Sequence, residues 1–289
     1  MCIGWVEETQ SGRRVVHDPD SQAVGNKLRV QKMLWCTDEV MSDCAVSRVI
    51  VALPAYNEAQ CLEKLLESVD AELRYAQVNY SVVVVDDGST DETSRILEAL
   101  VPRLPLHISR HLRNQGLGAT MRDGFGLALQ HAGAADVIVT MDADGSHQPG
   151  LIPRMVQLIH EGCDVVIASR YRPGARVLGV PWFRRFLSYG ASWLMRLSHP
   201  TPGVRDYTSG FRAYRVAVLQ RAIERYGSKF PESSGFQCMA EILFKLRSMG
   251  VIFGEAPMIL RYDLKESQSK MRVGRTVAQT FKLLFQRHG

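Results

Sequence analysis

The residues of this chain that could do chemistry are carboxylates set at the ends of apolar runs. Asp142-Ala143-Asp144 follows Val137-Ile138-Val139-Thr140-Met141. Carboxylates two positions apart at a strand end can turn towards one ion, and hard cations such as Mg2+ or Mn2+ take one or two carboxylates together with substrate phosphates. A diphosphate leaving group needs that neutralisation as its charge develops; an ordinary acidic turn is the alternative. Asp86-Asp87-Gly88-Ser89 follows Tyr80–Val85 and is a second acidic strand end. A carboxylate there can accept from a ribose hydroxyl or a base N–H, or cap a helix. Pro54-Ala55-Tyr56-Asn57-Glu58 adds an aromatic ring to face a base and a carboxylate to pair with its edge. Gly116-Leu117-Gly118 is a loop where backbone can approach closely, but it lacks the full dinucleotide fingerprint.

These residues need elements to position them. Val49–Leu53 is an apolar run ended by Pro54 and reads as a buried strand; Ala59–Leu73 then sets Leu62, Leu65, Leu66 and Val69 at helical spacing. Tyr80–Val85 is a second buried strand. The helix after it takes Ser89 or Thr90 as N-cap, with Asp91 and Glu92 in the first turn, where carboxylates favour the helix dipole. Leu106–Ser109 is a weaker strand, leading through Asn114–Gly118 into a helix that ends near Gly133. A strand at Val137–Met141, a helix from Gly150 to Glu161 and a strand at Val165–Ser169 follow. β-branched runs alternating with helices predict an α/β domain, Rossmann-like, with a mostly parallel sheet covered by helices on both faces. Ligands of such sheets bind beyond the carboxyl ends of the strands. Pro54–Glu58, Asp86–Ser89, Asp142–Asp144 and Arg170 all fall there.

The net charge of +5 suits an anionic ligand or a membrane surface. No Lys/Arg tract or RNA-reading motif accompanies it, so no nucleic-acid partner is predicted. The six cysteines are far apart and form no CxxC, which reads as free thiols in a reducing compartment. MCIGWVEETQSGRR has no apolar stretch after a basic start, and no run approaches the roughly 18 apolar residues of a membrane span. The expectation is a cytoplasmic protein, or one held only at the cytoplasmic face of a membrane. Residues 1–46 read as a polar N-terminal extension with room for one short helix. Pro181–His199 carries Phe183, Phe186, Leu187, Gly190, Trp193, Leu194 and Leu197 at helical spacing, with Arg184, Arg185 and Arg196 around them. That pattern suits an interfacial helix in lipid, or equally a helix packed on the sheet. Val273–Phe285 is basic and amphipathic as well.

Taken in order, VIVALPAYNEAQCLEKLLESV, VVVVDDGSTDET, NQGLGATMRDGF, VIVTMDADGSHQP, VIASRY, RRFLSYGAS, VRDYTSGFRAYR and a terminal SKM resemble family 2 glycosyltransferases, in the branch of dolichol-phosphate mannose synthase and related polyprenyl-phosphate glycosyltransferases. The resemblance covers Val49 to Arg275. It implies a single GT-A catalytic domain over 47–270, followed by a basic amphipathic segment at 271–289. It also implies a nucleotide-sugar donor, a Mg2+ or Mn2+ ion and inversion at the anomeric carbon. By the same resemblance, Pro54, Tyr56 and Glu58 match the nucleotide loop, Asp86 and Asp87 the second acidic loop, and Asp142 and Asp144, around Ala143, the metal and diphosphate motif. Arg170, Arg184 and Ser188 match residues that meet an acceptor phosphate, and Lys270 a lysine near the donor phosphates. The chain departs from the pattern at Ser146, where a metal-contacting Gln is familiar, and at Tyr189 and Leu264, each in place of an Arg.

The chemistry adds its own demand. A hydroxyl acceptor requires a general base, whereas a phosphate monoester is already largely ionised at neutral pH and needs positioning instead. Arginine offers a planar bidentate fork for that task, and Arg170, Arg184 and Arg212 are the candidates. Asp206 is the candidate base for a hydroxyl acceptor, or else a structural partner of Arg205 or Arg212. His147 could orient a carboxylate or merely open a helix; Glu241 could line a sugar pocket or lie on a helix surface. The main expectation is transfer of a hexose, GDP-mannose favoured, to a polyprenyl or dolichyl phosphate. A soluble acceptor such as a secondary metabolite, with a UDP-sugar donor, and a non-catalytic nucleotide-sugar-binding subunit are the alternatives.

Overall fold

The computed structural model describes residues 6–8, 14–16, 47–180 and 182–264, without the side chains of the first two spans and of 182–188, 191 and 264. The chain divides into two compact units, Met1–Cys44 and Ala45–Gly289. In the first, β1 (Val6–Glu8) and β2 (Arg14–Val16) pair antiparallel, Val6 opposite Val16. Strands therefore stand where the sequence suggested a tail with a short helix, consistent with the β-branched Val6, Val15 and Val16.

The second unit runs β3 (Val49–Ala55), α1 (Leu62–Tyr75), β4 (Tyr80–Asp86), α2 (Thr93–Leu100), β5 (Leu106–Arg110), α3 (Leu117–His131), β6 (Val137–Thr140) and α4 (Ile152–His160). It continues with β7 (Val165–Ser169), β8 (Arg176–Leu178), α5 (Trp182–Ser198), β9 (Arg212–Arg215), α6 (Val216–Tyr226), α7 (Cys238–Arg247), β10 (Phe253–Pro257) and β11 (Ile259–Arg261). Seven strands form one sheet in the order β10-β7-β9-β6-β3-β4-β5. All neighbours are parallel except β9, which runs antiparallel between β6 and β7. β8 and β11 form a separate parallel pair.

Strand side chains alternate between two cores. Val49, Val51 and Leu53 of β3 and Val82 and Val84 of β4 face α1, α2 and α4. Ile50, Ala52 and Val83 face α3, α6 and α7. A two-residue period buried on both sides leaves the strands no solvated face, which is why they read as unbroken β-branched runs. On α1, Leu62, Leu65, Leu66, Val69 and Leu73 lie on the buried stripe.

The helix after β4 begins at Thr93, later than Ser89 or Thr90 would set it. The Ser89 N–H donates to Asp86 Oδ1 at 2.9 Å, and the Asp91 carboxylate takes the Thr93 N–H at 3.0 Å. Residues 86–92 thus turn back over the sheet edge before the helix starts. The Ser89 hydroxyl instead accepts the Asn57 N–H at 2.9 Å, tying the loop after β3 to the loop after β4.

Leu66 is 1% exposed within the core between β3, β4 and α1. Leu66→Ala is expected to lower the unfolding free energy by about 2–5 kcal/mol. Urea unfolding should show a lower midpoint at unchanged slope.

Candidate active site

The carboxyl ends of β3, β4, β6 and β7 bring the predicted loops to one edge of the sheet. Asn57 has φ of +52° and its side chain pairs with Thr90, while the Glu58 N–H donates to Thr93 Oγ1 at 2.9 Å. Pro54 and Tyr56 are half-buried at this edge, and Glu58 is buried, accepting the Cys61 thiol at 3.5 Å.

Asp86 and Asp87 are both buried and engaged by groups of the protein itself. Asp86 is fully buried, with Oδ1 on the Ser89 amide and Oδ2 accepting the Ser94 hydroxyl at 2.5 Å. Asp87 takes the Gln115 and Gly116 amides at 2.8 and 2.9 Å and His111 Nδ1 at 2.7 Å. One amide and the Ser94 hydroxyl hold Asp86, and two amides and His111 hold Asp87, so both carboxylates shape the edge. Gly118 does mark a close approach, as its spacing suggested, but to the chain's own backbone. A Cβ there would lie 1.8 Å from the Ser233 carbonyl oxygen, and the Gly118 N–H donates to the Ser234 carbonyl at 3.2 Å.

Beyond β6, Asp142 and Asp144 are half-buried and flank the buried Ala143. Asp144 Oδ1 accepts both the Ser146 N–H (3.0 Å) and its hydroxyl (2.6 Å). His147 is buried, stacks on Phe211 with ring centres 5.2 Å apart, and accepts the Asp142 N–H through Nδ1 at 3.2 Å. An accepting Nδ1 puts the ring proton on Nε2, which faces the Asp142 carboxylate at 3.9 Å. His147 is therefore a built-in support of the acidic turn. Oxygen donors of this kind, half-open at a strand end, fit a hard divalent cation that completes its shell with water and phosphate.

Arg170 and Asp206 form the strongest charge pair of the edge. Arg170 Nε donates to Asp206 Oδ2 at 2.8 Å and Nη2 to Oδ1 at 2.6 Å; Nη2 also reaches Thr208 Oγ1 at 2.6 Å. The amides of Arg170 and Ser209 donate to the same carboxylate at 3.0 and 3.1 Å. Burial alone would raise the Asp206 pKa, but the Arg170 charge and these hydrogen bonds outweigh it and hold the carboxyl below its ordinary value. A carboxylate so held is a weaker proton acceptor than an unpaired one. Behind it, Glu255 Oε1 accepts the Arg205 and Asp206 amides at 2.6 and 2.7 Å. Sequence reasoning missed Glu255, because β10, the strand that carries it, was itself not legible in the sequence.

Arg212 is 1% exposed, and its guanidinium donates to the carbonyls of Met239 (2.8 Å) and Tyr207 (2.9 Å). It cannot present a fork to an acceptor phosphate; it ties the 207 loop to α7. Glu241 is likewise neither pocket lining nor surface. It is buried, pairs with Lys245 at 2.5 Å and takes the amides of Glu232 and Ser233 at 2.8 Å each. α5 packs through Met195 and through Ser192, whose hydroxyl donates to the Arg205 carbonyl at 2.5 Å. Its other face leaves Tyr189, Trp193 and Leu197 more than half exposed. The side chains of Arg184 and Ser188 on α5, and all of Lys270 and 273–285, lie outside the described residues.

A sequence model described as glycosyl transferase family 2 matches residues 50–222. The chain belongs to this family. It is 32% identical over 239 residues to dolichol-phosphate mannosyltransferase of Pyrococcus furiosus, a match covering 82% of this chain and 63% of that protein. It is 33% identical over 213 residues to polyprenol monophosphomannose synthase of Mycolicibacterium smegmatis, covering 73% of this chain and 76% of that one. Glucosyl-3-phosphoglycerate synthase of Mycobacterium tuberculosis, solved with Mn2+, UDP-glucose and phosphoglyceric acid, shares the fold at a TM-score of 0.61 and 19% identity, over 88% of this chain and 86% of that one. The family 2 chain is thus a glycosyltransferase with the GT-A fold.

Removing one partner of a buried ion pair leaves the other charge stranded. Asp206→Ala is expected to cost about 3–5 kcal/mol at neutral pH. Because the Asp206 pKa is lowered on folding, its contribution is present above the ordinary carboxylate value, about 3.9, and fades as pH falls through the lower folded value. Denaturation of both proteins across the acid range should show their difference shrinking towards low pH.

Proposed function

We propose that this glycosyltransferase moves a hexose, mannose from GDP-mannose in the first place, to the phosphate of a polyprenyl or dolichyl acceptor, with inversion and with Mg2+ or Mn2+. The observation that carries the reading is the state of Asp206. The carboxylate that could have served as base is saturated and held ionised by Arg170. An acceptor that arrives as an oxyanion needs no base. The mannosyltransferase names of the sequence relatives support the same acceptor class.

In this reading Tyr56 faces the nucleotide base, and Asp142 and Asp144 would hold the cation against the donor diphosphate. When bound, that cation would neutralise the charge developing on the leaving nucleoside diphosphate. Ser146 fixes the Asp144 rotamer through its two hydrogen bonds, and His147 fixes the Asp142 backbone. Arg170 is held at one edge by Asp206 and orients the acceptor phosphate for in-line attack, with Arg184, Ser188 and Lys270 as further contacts implied by the family pattern. Tyr189, Trp193 and Leu197, exposed at four-residue spacing on α5 beside Arg196, would rest on a membrane surface at the cytoplasmic face. Among the described residues no helix is long and apolar enough to cross a membrane.

The test is a donor panel of GDP-mannose, UDP-glucose and UDP-GlcNAc, each with Mg2+ or Mn2+, with and without a short polyprenyl phosphate. Products are read by mass spectrometry. A lipid-linked mannose from GDP-mannose is the expected result. Donor consumption with no lipid product would overturn the acceptor and point to a soluble one; no donor bound would leave a non-catalytic chain. Asp144→Ala should abolish the difference in donor affinity between Mn2+ and chelator, and an unchanged difference counts against the metal assignment. Arg170→Lys keeps the charge but loses the two-point pairing with Asp206 that holds the cation in place, so acceptor KM should rise about 10- to 100-fold with donor affinity retained.

A further inference from the structure

His111, just past the end of β5, is 7% exposed and lies between two carboxylates. Its Nδ1 is 2.7 Å from Asp87 Oδ1, in the loop after β4, and its Nε2 is 2.8 Å from Asp123 Oδ2, on α3. Ionised carboxylates only accept hydrogen bonds, so these two contacts favour the ring that carries both protons. The neighbouring charges point elsewhere. Asp86 turns to Ser89 and Ser94, the Arg110 guanidinium approaches Asp86 at 3.6 Å, and Arg122 donates to the Pro231 carbonyl at 2.5 Å. The Asp87 carboxylate that His111 grips also holds the Gln115 and Gly116 amides, the entry to α3.

We propose that His111 is an imidazolium clamp, a positioning residue that fixes the Gln115–Gly118 entry to α3 as one wall of the donor nucleotide site and releases it on deprotonation. The location of the donor rests on the reading given under Proposed function, where Tyr56 faces the base. The Tyr56 loop is tied to the loop after β4 through Asn57 and Ser89, and Asp87 of that loop holds the Gln115 and Gly116 amides. Burial pulls the His111 pKa down, but the hydrogen bonds and charges of Asp87 and Asp123 outweigh it, and the value is raised. A raised histidine value means the clamp is closed below the ordinary titration range and opens as pH rises through the folded value.

Nitrogen-detected imidazole NMR on the full chain, with the His111 signals assigned from His111→Gln, reads the ring directly. At about pH 7.5, where an unperturbed histidine is mostly neutral, both ring nitrogens of His111 should be protonated. Calorimetric titration with GDP and with UDP, each with Mg2+, should show affinity falling about 10-fold as that ring deprotonates, the loss of one charge-assisted hydrogen bond. Asp123→Asn removes one half-exposed partner and should move both the ring titration and the affinity loss to lower pH together. A neutral His111 ring at about pH 7.5 overturns the clamp. An imidazolium whose titration leaves nucleotide affinity flat overturns its link to the donor wall. A wild-type chain that binds neither nucleotide at any pH overturns the donor reading itself, while the ring signals still decide whether the imidazolium exists.

Discussion

A carboxylate withdrawn from water has to find hydrogen-bond donors, and at the carboxyl edge of this sheet the nearest donors are the amides of the loops themselves. Asp86 gathers the turn after β4, Asp87 the entry to α3, Asp206 the turn after α5, Glu241 the 232–233 segment and Glu255 the backbone of Arg205 and Asp206. Each ties a loop or segment to the body of the domain. The acidic residues named here are spent on the chain's own backbone, and the carboxylates of Asp142 and Asp144 stand out against that background as the half-exposed pair.

Charge is sorted along the same edge. The acidic turn after β6 sits in the middle of the sheet, and Arg170 lies at the end of β7, with the antiparallel β9 between them. In the proposed function a metal-bound diphosphate would meet the acidic turn and the acceptor phosphate would meet Arg170, and that arrangement calls for this separation. Two anions approaching one another repel unless each meets its own cation first. Asp206 anchors Arg170 by one edge of the guanidinium, which keeps the cation from swinging towards the acidic turn.

The strands were the most legible part of the sequence. Val165–Ser169 matches β7 at both ends, because a short β-branched run buried on both faces carries a dense signal. β9 and β10 were not legible as strands. Arg212-Ala213-Tyr214-Arg215 has charge at both ends, and its strand state comes from pairing with β6 and β7, a tertiary cause that local pattern does not carry. The acidic loops were legible in position but not in direction. Asp87 and Asp142 follow strands in the same way, and the location of backbone donors, the amides of Gln115 and Gly116, decides that one is buried and the other stays half-open. The saturation of Asp206 and the enclosure of Arg212 were hidden for the same reason: residue type gives capacity, and neighbours distant in sequence decide how it is used.

The antiparallel β9 has a consequence for how the chain is made. β3, β4, β5 and β6 are contiguous in space and early in sequence, so they can assemble while the rest is still being synthesised. β7 cannot join them, because its place beside β6 is held for β9, which leaves the ribosome more than forty residues later. Until Arg212–Arg215 emerges, the edge of β6 carries unpaired backbone groups next to an apolar run, an open template for a neighbouring nascent chain. The strand that separates the acidic turn from Arg170 in the finished enzyme is thus also the one whose arrival closes the open edge of β6 during translation.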